Sequence, residues 1–259
     1  MPPLAPDTDP TRDNEARLMA APHRSPLIHI GLIVLLTALT LCFAALGIWQ
    51  IQRLVWKLDL IARVEARIHA EPAPIPSHDT FMAARSPGDM EYLRVRLDGH
   101  FLNDRETLVQ AVTELGGGFW VLTPFVTDDG RIVLVNRGFV PPERRDPASR
   151  AAGQIAGETQ VVGLLRLSEP GGGFLRSNDQ AANRWYSRDV EAIAQARQLV
   201  DVAPYFVDSE RVPLPDGAPV GGLTVVRFTN NHLVYALTWF ALAAMSAYAA
   251  WRLRGGNRP

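Results

Sequence analysis

The sequence predicts a membrane protein of α+β class, with two transmembrane helices flanking a mainly antiparallel β periplasmic domain. Three observations carry this. Residues 27–49 form an apolar run without a formal charge, and residues 231–251 form a second one, each about long enough to cross a hydrocarbon core roughly 30 Å thick. Between them lie about 180 mainly polar residues whose apolar positions change from a helical spacing to strict alternation.

The elements follow in order. Residues 1–26 are expected to form a cytoplasmic tail. They carry Asp7, Asp13 and Glu15, too many acids for a mitochondrial presequence, and the apolar run after them is too long for a signal-peptide core. Beyond Trp49 the apolar residues Ile51, Leu54, Val55, Leu58, Ile61, Val64 and Ile68 keep helical spacing, so residues 50–70 extend the first span as an amphipathic helix. Pro72, Pro74 and Pro76 stop it, and residues 71–90 read as a Pro-rich linker. Residues 91–230 form the domain. From Tyr92, Leu93, Val95 and Leu97 alternate with Arg94, Arg96 and Asp98 as in a half-buried strand closed by Gly99. Leu108–Thr113 is a shorter strand. Phe119–Thr127 and Arg131–Val135 flank Asp128-Asp129-Gly130, whose glycine supplies the positive φ of a tight hairpin. Gln160–Leu167, Pro204–Val207 and Leu223–Val226 are further strand candidates, and Ser187–Leu199 reads as a helix capped by Ser187 or Asp189. Hairpin-paired strands with one late helix point to an antiparallel or small barrel-like domain.

Charge orients the chain. Arg24 precedes the first span and Arg252, Arg254 and Arg258 follow the second in the basic tail 252–259. Short basic flanks stay in the cytoplasm, whereas a long segment crosses largely regardless of its charge. Both termini are therefore expected in the cytoplasm of a bacterial cell, with a two-pass anchor in the inner membrane and the domain in the periplasm. Cys42 is the sole cysteine and lies inside the first span, so the domain has neither a disulfide nor a thiol nucleophile. The balance of 26 basic and 27 acidic residues gives no sign of nucleic-acid binding.

The usual catalytic patterns are missing: no Gly-x-Ser-x-Gly, no His-Glu-x-x-His, no phosphate loop with its Lys. Gly116-Gly117-Gly118 and Gly171-Gly172-Gly173 read as flexible turns, and His69, His78 and His100 share no metal-ligand spacing. The expectation is therefore a protein that is not an enzyme. Chemistry-bearing side chains gather instead where the two spans leave the apolar region. Trp49, Arg53 and Trp56 recur at i, i+4, i+7, with Gln50 and Lys57 beside them, and His232, Tyr235 and Trp239 share one face of the second helix. One reading is an interfacial belt in contact with membrane lipids, with aromatic rings at the headgroups and cations reaching phosphates. The other is a haem site, with His232 as axial ligand, Arg53 and Lys57 toward the propionates and the aromatic residues over the macrocycle. On the second reading the two clusters face one another across packed helices.

Several stretches bear a family resemblance. Gly47-Ile48-Trp49-Gln50-Ile51-Gln52-Arg53-Leu54-Val55-Trp56-Lys57, Val135-Asn136-Arg137-Gly138-Phe139-Val140-Pro141 and Asn230-Asn231-His232-Leu233-Val234-Tyr235-Ala236-Leu237-Thr238-Trp239-Phe240 resemble the motifs of the surfeit locus protein 1 family. Shorter matches are Gly99-His100-Phe101, Thr123-Pro124-Phe125, Gly163-Leu164-Leu165-Arg166 with Glu169, Asn183-Arg184-Trp185-Tyr186 and Pro204-Tyr205. The resemblance implies an assembly factor for cytochrome c oxidase that assists haem a delivery to the catalytic subunit, with that subunit and haem a synthase as partners. It implies haem a as transient cargo and His232 as the iron ligand. The alternative is a scaffold that holds an oxidase intermediate without binding haem. For the central motif a structural role is expected: Asn136 bonding local backbone, Arg137 bridging to an acid, Gly138 holding a conformation closed to other residues.

Overall fold

A computed structural model describes residues 26–255 except 174, 214, 225 and 227. The expected cytoplasmic tail, with Arg24, and the end of the basic tail, with Arg258, lie outside the described residues. The chain divides into two compact units, one of residues up to Asp59 together with Thr229 onward, the other Leu60–Phe228.

The first unit is helical. Helix α1 runs from Pro26 to Ile68 as one continuous element, so the amphipathic stretch after Trp49 joins the apolar run without a break. Ile68 lies four residues before Pro72, where the missing amide proton and the ring would stop a helix. The other helix of this unit spans His232–Gly255. Both are long and apolar enough to cross a membrane.

The second unit is a β-barrel-like domain of α+β class. Strands β1 (Ala73–Pro74), β2 (Arg94–Phe101), β3 (Thr107–Thr113), β4 (Gly116–Thr127), β5 (Ile132–Val140), β6 (Thr159–Leu167) and β7 (Val202–Ser209) form one sheet in the order β1-β2-β6-β7-β5-β4-β3. An added β2–β4 pairing closes five of them into a ring, β2-β4-β5-β7-β6 and back to β2. All the pairings around this ring are antiparallel except β5–β7. Taken in chain order the ring reads 1-2-3-5-4-1, the connectivity of an OB-type Greek-key barrel. Gly99 is not the end of β2: the strand pairs with β6 up to Gly99 and with β4 from Gly99 to Phe101, so the closure falls at the glycine. Two short helices, α2 (His78–Met82) and α3 (Val190–Ala196), belong to this unit, and the long helix His232–Gly255 of the first unit is α4. Asp189 caps α3 by accepting from the Ala192 amide.

The pleat sorts the core into two layers. Val133, Val135, Phe125, Leu165, Val207 and Leu97 fill the barrel interior, while Leu134, Leu122 and Phe206 project outward beneath α3 and Trp185. Strand β5 is buried on both faces along nearly its whole length, whereas β2 alternates buried and exposed residues. Each of these fully buried side chains contributes about 1.5–3 kcal/mol relative to exposure. Residues 71–90 are more than a linker. Ile75 and Phe81 enter the interior cluster, and Tyr205 and Arg131 both donate to the Pro76 carbonyl. Gly116-Gly117-Gly118 begins β4 rather than forming a turn. Leu223, Thr224 and Val226 carry no strand, and Val225 lies outside the described residues.

Candidate functional site

Within the helical unit, α1 and α4 pack antiparallel. Phe43 stacks on Trp239 with centroids 5.7 Å apart, Gly47 lies against Phe240, and Gln50 meets His232. The contact face of α1 is thus Phe43, Gly47 and Gln50, at i, i+4, i+7. On α4 the buried Ala236, Ala243 and Ala250 recur every seventh residue, a row of small side chains that lets the helix axes approach. Gly47 serves the same end from the other side. A Cβ there would stand 2.6 Å from a Phe240 ring carbon, so a larger side chain must displace that ring from the helix contact.

His232 occupies the first position of α4 and is half-buried. Its Nδ1 lies 2.8 Å from Oε1 of Gln50, and its Nε2 makes no hydrogen bond among the described residues. Two residues earlier, the Asn230 side-chain oxygen is buried and unpartnered among the described residues, an uncommon and costly state for a polar atom. Tyr235 is exposed and Trp239 half-buried. Trp49 and Trp56 are each about half exposed, and the Arg53 guanidinium sits 4.6 Å from the centre of the Trp56 ring. Lys57 is half-buried. Trp49, Arg53 and Trp56 lie roughly a third of a turn from the α1 face that touches α4. The structure therefore joins His232 to Gln50 directly and leaves the Trp49–Arg53–Trp56 stripe beside that contact, open on its outer side. A histidine, exposed aromatic rings and a cation are groups that could hold a haem.

The central motif does structural work in the domain. Asn136 accepts from the Gly138 amide at 3.1 Å and donates to Asp208 at 2.8 Å. Gly138 has φ of 129°, and any Cβ would overlap the Val220 carbonyl, so only glycine fits. Arg137 departs from expectation, since no acid bridges it among the described residues. It donates to Asn103, Gln154 and the Gly153 carbonyl, and lies 4.8 Å from the Phe101 ring centroid at one end of the barrel interior. The nearby carboxylate, Glu106, is taken by Arg150. Burial accordingly pushes the Arg137 guanidinium down to about 10, with Glu106 opposing at a distance.

Sequence reasoning missed the charge network on the outer barrel face. Asp208, 4% exposed, accepts from Asn136, Arg166 (3.0 Å), Arg188 (3.1 Å) and Thr224 (2.9 Å). Arg166 also reaches Glu91, and Arg188 pairs with Glu169. Burial opposes the Arg188 charge, yet Asp208 and Glu169 together raise its pKa above the ordinary arginine value. The signal was an acid at the end of the apolar strand Tyr205-Phe206-Val207. With Trp120 the network lines a cleft of about 540 Å³. No cluster of metal-ligating side chains occurs among the described residues.

Comparison with known proteins places this arrangement. The model of the SURF1 family matches residues 37–244, from within α1 to within α4. Surfeit locus protein 1 of Mus musculus is 38% identical over 219 residues, 78% of this chain and 69% of its own length. That of Homo sapiens is 38% identical over 229 residues, covering 81% and 74%. A SURF1-like protein of Monosiga brevicollis is 38% identical over 245 residues, covering 88% and 90%. The match takes in Gln50, the whole barrel and His232, and the chain belongs to the SURF1 family.

Proposed function

We propose that this chain is a membrane-anchored assembly factor for cytochrome c oxidase that holds haem a as transient cargo and passes it to the catalytic subunit. The observation that carries the reading is His232, held at the start of an apolar helix with Nε2 unengaged beside a stripe of exposed aromatic and cationic side chains. His232 would hold the haem iron through Nε2, Trp49, Trp56, Tyr235 and Trp239 would supply apolar cover, and Arg53 and Lys57 would supply charge for the propionates. The protein binds and releases without making or breaking covalent bonds. Both spans lie in the bacterial inner membrane with the termini in the cytoplasm, the basic residues Arg252 and Arg254 supporting that orientation. The barrel domain then stands in the periplasm and recruits the catalytic subunit, with haem a synthase as the donor.

A scaffold role without haem has one observation in its favour. Val112 is 90% exposed and Leu115 56% exposed around the β3–β4 turn, apolar surface suited to a protein partner. Detergent-purified protein, co-expressed with haem a synthesis, separates the readings. The cargo reading expects a low-spin haem spectrum that His232→Ala abolishes; the scaffold reading expects no haem and retained co-purification with the catalytic subunit.

A further inference from the structure

We infer that Gln50 is a positioning residue that sets the tautomer and ring orientation of His232, so that Nε2 presents its lone pair to the cargo iron; this rests on the cargo reading above. The two side chains lie 182 positions apart in sequence and meet at 2.8 Å, Nδ1 to Oε1. An amide oxygen can only accept, so Nδ1 carries the proton. A neutral imidazole has one proton, and placing it on Nδ1 leaves Nε2 as the free base. The bond also fixes the rotation of the ring, which a histidine at the first turn of a helix would otherwise sample freely.

The packing explains why a glutamine on α1 can do this. Gly47 is one turn below Gln50 on the contact face, and the missing side chain there brings α1 close enough to α4 for a neutral amide to reach the ring. A ligand histidine whose second nitrogen is tied to an acceptor is both oriented and made a better donor, and losing such a partner costs about 10–100-fold in metal affinity. The same glutamine with its amide turned over would donate to Nδ1, place the proton on Nε2 and block the ligand. The two orientations therefore have opposite consequences for binding.

The test has two arms. In full-length protein without haem, selectively 15N-labelled at histidine and held at pH 8, two-bond proton–nitrogen correlations identify which His232 nitrogen is unprotonated, with His232→Ala assigning the signal. The inference expects Nε2, the nitrogen coupled to both ring C–H protons; an unprotonated Nδ1 overturns it. In protein loaded with haem a by co-expression, Gln50→Leu is expected to weaken haem retention about tenfold. Gln50→Glu, whose carboxylate accepts more strongly from Nδ1, is expected to restore retention and lower the haem reduction potential below that of the wild type. If both variants match the wild type in retention and potential while His232→Ala loses haem, Gln50 has no positioning role and the cargo reading stands. If His232→Ala keeps the wild-type spectrum, the ligand assignment falls and this inference falls with it.

Discussion

Replacing Asp208 by alanine removes the acceptor at the centre of the outer-face network. The carboxylate is 4% exposed and takes hydrogen bonds from Asn136, Thr224 and both arginines at 2.8–3.1 Å. Breaking a buried ion pair costs about 3–5 kcal/mol, because a cation is left buried without its partner. Here Arg166 keeps Glu91 and Arg188 keeps Glu169, which places the expected loss at the lower end, about 3 kcal/mol. For a domain of this size that is a fall in midpoint of about 6–12 °C. The assay is thermal unfolding of the detergent-solubilised full chain, followed by near-ultraviolet circular dichroism. The buried Trp185 and half-buried Trp120 report on the barrel there. A cycle with Arg188→Met isolates the pair, and the double variant should recover part of the loss because the orphaned charge is gone. A loss below about 1 kcal/mol, with no coupling to Arg188, would refute the claim that this network is buried and mutually dependent.

Other outcomes follow from the same geometry. Gly138→Ala puts a Cβ onto the Val220 carbonyl at a positive φ, and should cost about 1–3 kcal/mol or more in the same melt, against a few tenths for Ala at the unobstructed Gly117. Gly47→Leu should displace Phe240 from the contact of α1 with α4 and lower haem retention while leaving the barrel's melting point unchanged, since that contact lies wholly in the helical unit. Arg131 and Thr127 hold the Asp129 carboxyl at about 2, below its ordinary 3.8. That contribution is present above about pH 4 and is lost as the pH falls through 2. Asp129 is more than half exposed, so solvent screening keeps the effect under about 1 kcal/mol, and Asp129→Asn should flatten the acid limb of the stability profile by that much.

What could be read from the sequence was what neighbouring residues decide between themselves. The charge-free run 27–49, the Asp128-Asp129-Gly130 turn and the Asp189 cap each depend on neighbouring side chains, and they form an unbroken helix, the connection from β4 to β5 and the start of α3. The alternation in Leu93–Leu97 revealed a half-buried strand because one face of β2 is open to water. Where long-range contacts decide, local patterns misled. Pro72, Pro74 and Pro76 suggested a linker, yet the barrel needs Ile75 and Phe81 to cover one end of its interior. Gly116-Gly117-Gly118 looked like a turn because glycine favours one, but Ala111, Val112 and Thr113 of β3 pair with all three residues and hold them in the strand. Arg137 was matched with an acid on charge alone, whereas Arg150 had already taken Glu106. The β5–β7 parallel pairing that completes the ring left no local trace.

The site was legible in the same partial way. Helical spacing grouped His232 with Tyr235 and Trp239, and Trp49 with Arg53 and Trp56, because residues on one helix obey a fixed rotation. Which face of one helix meets the other depends on volume instead. The small residues Gly47, Ala236, Ala243 and Ala250 set that rotation and bring Gln50, rather than Arg53, to His232.

Haem binding at His232 is tested most directly by one comparison, the absorbance spectrum of full-length protein purified after co-expression with haem a synthesis, beside that of His232→Ala. It predicts a low-spin haem spectrum in the wild type and its loss in the variant, with the barrel's melting point unchanged. A wild type without haem, or a variant with the wild-type spectrum, would contradict it.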